Sequence, residues 1–187
     1  MARAALTHDE IDAFRVRAAR VAIGLFAEHG YRGVSMRAIA TAMGVSAMTP
    51  YRYFANKDEL FNFIRHDGYR RFADGQQAAW DDARPAERLH KLKQAYIQFA
   101  LDEPETYQVM FELRHAPSGE NAEVSAEQTR AYSFLLGAVK ESIAAKRMSG
   151  DPDTVAHILW AQVHGMVSLH LAGTLIMGRS LDTLRQL

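Results

Sequence analysis

Apolar residues recur along this chain at the helical period and almost nowhere at the strand period. Ala19, Ala22, Ile23 and Phe26 follow the i, i+3, i+4, i+7 spacing that lines one face of an α-helix, and Met36, Ile39, Ala40 and Met43 repeat it. The expected fold class is therefore all-α. Start and stop signals divide the helices. A first helix is expected over residues 7–29, stopped by Gly30 and Gly33. Ser35 caps a short second helix ending at Gly44, and Ser46 caps a third. Asn56 caps a fourth, with Asp58 and Glu59 in its first turn and Glu59 at the capping-box position. Long helices follow over about 57–79, 85–101 and 104–113, then 122–147 and 152–178, the last opened by Asp151 and Pro152.

Two short helices joined by a glycine-containing turn form a helix-turn-helix, whose second helix is available for a major groove. The expected domains are a three-helix DNA-binding head over 8–56 and a larger helical body over 57–187. Net charge is zero, with 22 basic and 22 acidic residues, yet residues 13–57 hold seven basic side chains (Arg15, Arg17, Arg20, Arg32, Arg37, Arg52, Lys57) against Glu28 alone. A basic head on an acidic body is the asymmetry expected when only the head meets an anion such as DNA. A solvated charged face would look the same. The absence of cysteine removes disulfide scaffolds, thiolate metal sites and cysteine nucleophiles together. The start MARAALTHDEID has no apolar core of a signal peptide, and the apolar stretch 163–177 is too short and too interrupted to span a bilayer, so a cytoplasmic protein without membrane contact is expected.

The stretch GVSAMTPYRYFANKDEL, residues 44–60, concentrates the functional signal. With Ser46 as N-cap, Pro50 falls early enough in the helix that only one backbone hydrogen bond is lost. Phe54 falls with Pro50 and Val45 toward Ile39 and Ala40, while Tyr51, Arg52 and Tyr53 point outward, where phenols reach phosphate oxygens and a guanidinium reaches a guanine edge or a phosphate. Lys57 opens the next helix, where its charge and free amides converge on one phosphate. Half-buried packing of the tyrosines is the competing reading.

Residues 16–61, VRAARVAIGLFAEHGYRGVSMRAIATAMGVSAMTPYRYFANKDELF, resemble the DNA-binding domain of the TetR/AcrR family of bacterial transcriptional regulators. "LFAEHGYRGVSMRAIA", "MGVS" and "YRYFANKDEL" carry the pattern; Pro50 stands where an aliphatic residue is more usual. The resemblance implies that residues 46–54 are the recognition helix. Ala47, Met48 and Arg52 would lie nearest the bases, with Ser46 and Thr49 on the same element. Ser35, Arg37, Tyr51, Tyr53 and Lys57 would hold phosphates. Trp160, His164 and Gly165 in "WAQVHG", with "DEPETYQVMFEL" upstream, resemble the subgroup of the family marked by a Trp-His-Gly signature.

In the body, Ala161, Gly165, Ser168 and Ala172 form a row of small residues on the last long helix, and Ala131, Leu135, Ala138 and Ser142 form another on the helix before it. Such rows suit a two-fold four-helix dimer interface, or equally close packing within one chain. Bulky Trp160, His164 and Val167 would face Tyr96, Phe99, Tyr107, Met110 and Phe111. That set is either an effector pocket or a plain core. His157, His164 and His170 lack a companion carboxylate at metal-site spacing, so no metal or cofactor is expected. No catalytic constellation appears at mechanistic spacing, which sets the enzyme reading aside. The sequence reads as a homodimeric, ligand-responsive regulator, more a repressor than an activator, released from an inverted-repeat operator on double-stranded DNA by a small apolar or aromatic effector. Control by a protein partner, or no effector at all, is the alternative.

Overall fold

The computed structural model describes residues 7–113, 121–175, 178 and 180–185, and among these every regular element is helical. In chain order they are α1 (His8–Gly33), α2 (Met36–Ala42), a turn of 3-10 helix at Pro50–Arg52, α3 (Lys57–Asp81), α4 (Arg88–Asp102), α5 (Pro104–Phe111), α6 (Ala122–Ala144), α7 (Pro152–Leu171) and a short α8 (Leu181–Leu184). Helix starts follow local side-chain chemistry. Thr7 and Glu10 form a capping box on α1, Ser35 accepts from the Ala38 amide, Asn121 from Val124, and Asp151 from Thr154.

The ends differ from expectation where backbone handedness decides them. α6 stops at Ala144 because Lys146 adopts a left-handed φ of 56°, which lets the Arg147 amide bond back to the Ser142 carbonyl. α7 stops at Leu171: Gly173 turns left-handed at φ 67°, and the amides of Thr174 and Leu175 both return to the Leu169 carbonyl. Of the expected extension to 178, residues 176 and 177 lie outside the described residues. α4 begins at Arg88, after a turn that takes up the proline-led start expected at 85.

The chain divides into two compact units, Met1–Gly68 with Glu105–Val124, and Tyr69–Pro104 with Ser125–Leu187. The first unit is built on Phe26, Tyr31 and Phe61. Phe26 meets Phe61 edge-on at 5.3 Å between ring centroids, and Tyr31 meets the same ring at 4.8 Å. Ala18, Ala22, Ile39, Phe54, Leu60 and Val109 complete this core. Val109 lies on α5, which Gly68 admits closely: a Cβ on Gly68 would stand 2.6 Å from the Met110 sulfur.

In the second unit Phe72 meets Tyr96 and Phe99 edge-on, over buried Leu92, Ile97, Val139, Ala156 and Val167. The Trp80 ring lies over Gly137 and is capped by the Arg88 guanidinium 3.8 Å from its centroid, with Arg88 also paired to Glu141. Ala131, Ala138 and Ser142 are buried within the chain, so the small row of α6 packs internally rather than forming an open seam. Among the described residues no helix is long and apolar enough to cross a membrane.

Candidate nucleic-acid interface

The reader of the first unit is built from the end of α2 to the start of α3. α2 closes with Gly44 in the left-handed region, φ 69°, the Val45 amide returning to the Ala40 carbonyl and the Gly44 amide to Thr41. The expected α-helix from residue 46 does not form. Residues 47–49 make a turn and 50–52 a single 3-10 turn, linked by i to i+3 bonds from Thr49 to the Ser46 carbonyl, Arg52 to Thr49 and Tyr53 to Pro50. Pro50 is the physical reason. It has no N–H to give the Ser46 carbonyl, and an element this short cannot absorb the loss. Ser46 consequently caps no amide; its hydroxyl lies 2.8 Å from that of Thr49.

Pro50 and Phe54 are buried, as the sequence implied, and they root the turn in the core. A charged clamp holds its far end. The Arg15 guanidinium lies over the Phe54 and Phe63 rings at 4.8 and 4.9 Å and donates to Glu59 at 3.0 Å. The other oxygen of Glu59 accepts from the Ala55 amide at 2.6 Å, one residue short of the capping-box partner expected at Asn56. Arg15 and Glu59 are thus supporting residues. In the sequence Arg15 shows only as one more positive charge and Glu59 only as a helix cap.

Two expected phosphate ligands are engaged internally. The Lys57 ammonium donates to the Tyr31 carbonyl at 2.7 Å and the Val34 carbonyl at 2.8 Å, and stands 4.1 Å from the Tyr31 ring centroid. Two of its three donors are committed there, and burial lowers its pKa below the usual lysine value. Tyr53 stacks on Phe14 with centroids 3.8 Å apart and is half-buried rather than outward. The remaining residues do form an open face. Ser35, Arg37, Ser46, Ala47 and Arg52 are exposed, Met48 is 69% and Tyr51 47% exposed, and Thr49 is intermediate. Of the seven basic residues in 13–57, Arg17, Arg20, Arg32, Arg37 and Arg52 face solvent. Arg17 and Arg20 join the candidate phosphate ligands; charge count flagged them and helical position on α1 exposes them.

The expected effector residues divide between the units. Tyr107, Met110 and Phe111 belong to the first, where Tyr107 and Met110 are buried. Tyr96, Phe99, Trp160, His164 and Val167 belong to the second. There Val167 is core, and the Tyr96 hydroxyl lies 3.0 Å from Nδ1 of His164. Trp160, 39% exposed, stands between His157 and His164 with ring centroids 6.2 and 6.5 Å away. Among the described residues no group of three metal-ligating side chains gathers.

An exposed reader rooted in a helical core agrees with what sequence comparison finds. Residues 19–64 match the family described as bacterial regulatory proteins, tetR family, and residues 89–187 match the tetracyclin repressor-like C-terminal domain. The chain belongs to the TetR family. It is a DNA-binding transcriptional regulator, and the family is not one of enzymes. The description of the matched C-terminal domain carries no Trp-His-Gly label. HTH-type transcriptional regulators Rv1816 of Mycobacterium tuberculosis and Mb1846 of Mycobacterium bovis are each 26% identical to it over 176 residues, covering 78% of this chain and 75% of theirs. The fold is shared with the TetR family regulator PfmR of Thermus thermophilus (20% identity, TM-score 0.71, 81% of this chain and 85% of that one). It is shared also with a TetR family regulator of Marinobacter aquaeolei (17% identity, TM-score 0.75, 96% and 94%).

Replacing Lys57 by Met removes the ammonium and its hydrogen bonds to the Tyr31 and Val34 carbonyls. The variant is expected to lose about 1–3 kcal/mol of stability, read as a lower urea midpoint at unchanged slope. An unchanged midpoint would show that the ammonium is not a strut.

Proposed function

We propose that this TetR family regulator is a cytoplasmic, homodimeric repressor that holds an inverted-repeat operator through residues 8–56 and is released by a small apolar or aromatic effector bound in residues 57–187. The observation that carries the DNA side is the open face of Ser35, Arg37, Ala47, Met48, Tyr51 and Arg52 on a buried root. Arg37, with Arg17, Arg20 and the Tyr51 hydroxyl, supplies backbone contacts, which set register and make affinity salt-dependent, while Arg52 lies nearest the bases with Ala47 and Met48.

The dimer reading rests on the outer face of α7. Ile158 and Leu169 are 52% and 47% exposed, Ala161 and Ala172 are open, and a Cβ on Gly165 would meet nothing within its own chain. Positions 158, 161, 165, 169 and 172 recur at steps of three and four, the spacing of a seam between helices. Regulators of this family usually act as dimers. The effector reading rests on the row of rings His157, Trp160 and His164, exposed to half-buried in that order, with the Tyr96 hydroxyl on His164.

Three measurements test these parts. Affinity for duplex DNA should fall steeply with salt, and Arg37→Ala should weaken binding to all sequences while reducing the salt slope by about 1. Affinity independent of salt contradicts the DNA assignment. Gly165→Leu should leave the protomer folded, because a Cβ at this position meets nothing within the chain, yet sediment as monomer. A stable dimer of that variant places the interface elsewhere. A hydrophobic effector at a hundredfold excess over its dissociation constant should stabilise the protein by about 2.7 kcal/mol and weaken operator binding, with Trp160→Ala reducing both effects. Stabilising compounds that leave DNA affinity untouched would remove the effector-release claim.

A further inference from the structure

The tip of the reader is apolar where a hydrogen-bonding tip would be the simpler means of telling bases apart. Met48 is the most exposed large apolar side chain among the described residues, at 69%, and Ala47 beside it is also open. Beside them Ser46 and Thr49 share a hydrogen bond of 2.8 Å, which ties the two hydroxyls to each other while leaving further hydrogen-bonding capacity. The turn's outward apolar groups are a methyl and a thioether, with the Ser46 hydroxyl before them and the guanidinium of Arg52 and the phenol of Tyr51 further along the chain.

The root of Met48 is fixed and its end is free. The Thr49 amide is bonded to the Ser46 carbonyl, Val45 to the Ala40 carbonyl, and Pro50 is buried, so the backbone on both sides of Met48 is held. The side chain beyond it is unbranched and polarizable, and adapts its end to an irregular apolar surface. In a major groove the donors and acceptors of the base edges call for polar partners. The base-edge group that rewards apolar contact is the C5-methyl of thymine. Contacts to phosphates carry no sequence information of themselves, so preference among duplexes comes from the side chains nearest the bases, Met48 and Ala47 at the tip and Arg52 beyond it.

We infer that Met48 reads a thymine methyl in each half of the operator, making this regulator's base recognition at that position apolar rather than hydrogen-bonded. The inference rests on the operator-binding reading above and names the chemistry by which that same face selects its sequence. It also assigns different roles to neighbouring residues. Arg37 sets affinity on any duplex, whereas Met48 sets preference among duplexes.

The test uses the intact protein and the duplex recovered by repeated selection from random-sequence DNA. Each thymine of the recovered half-site is replaced by uracil, which pairs identically and lacks only the C5-methyl, and dissociation constants are measured by fluorescence anisotropy at one salt concentration. At one position uracil is expected to weaken wild-type binding about fourfold per half-site, the value of one buried methyl. Met48→Ala should bind the thymine duplex more weakly and show no preference for thymine over uracil there. Met48→Leu, which keeps an apolar end, should retain the preference. The inference is overturned if no uracil substitution changes wild-type affinity, if the half-site contains no thymine, or if Met48→Ala keeps the wild-type preference. Failure to recover any duplex would instead overturn the operator reading on which it rests, and this inference with it.

Discussion

The structure of the head depends on how the chain satisfies the carbonyls that follow the kink in the last turn of α1. Gly30 leaves the helical region at φ 70° and ψ 166° inside α1, which then ends at Gly33, so the last carbonyls before α2 have no further turn of that helix to bond them. The Lys57 ammonium takes two of them, those of Tyr31 and Val34, and lies against the Tyr31 ring. Tyr31 is thereby held in the aromatic cluster with Phe26 and Phe61, and the loop that presents Ser35 is tied to the first residue of α3. Buried polar groups left unpaired carry a penalty comparable to a lost hydrogen bond, so this cation ties the approach to α2 to the start of α3.

The reader hangs between two fixed points within that frame. Gly44 ends α2 in a conformation that disfavours L side chains by about 1–2 kcal/mol, and Pro50 with Phe54 roots the following turn in the core. Arg15 and Glu59 fasten its exit, at Phe54 and Ala55. Charge in the head therefore does two kinds of work. Lys57 and Arg15 are inward and structural, whereas Arg17, Arg20, Arg32, Arg37 and Arg52 are outward and form the electropositive surface. A fixed turn costs little further ordering when DNA arrives, since its backbone is already held in place.

Helix existence, the Ser35 cap, the Gly44 turn and the inward set of Pro50 and Phe54 were legible in the sequence because each follows from local chemistry: spacing, a side-chain acceptor, a left-handed glycine, an apolar face. What depended on long-range partners was not. Lys57 reads as a phosphate ligand until Tyr31 and Val34, more than twenty residues earlier, come within reach of its ammonium. Tyr53 reads as outward until Phe14 supplies a ring to stack on. The missing helix at 46–54 was a matter of magnitude: Pro50 was recognised, but one lost hydrogen bond weighs more in an element of two turns than in a long helix. The row Ala131, Ala138 and Ser142 shows that small-residue spacing marks close packing without saying whether the partner is inside the chain or outside it.

The central claim is that DNA meets this protein at the rooted turn and the exposed arginines around it. Amide hydrogen exchange read by mass spectrometry, with and without random-sequence duplex at low salt, tests this without knowledge of the operator. The account predicts slowed exchange in peptides covering residues 35–53, lost again when salt is raised. Protection absent from those peptides, with the duplex bound elsewhere on the chain or not bound at all, would contradict it.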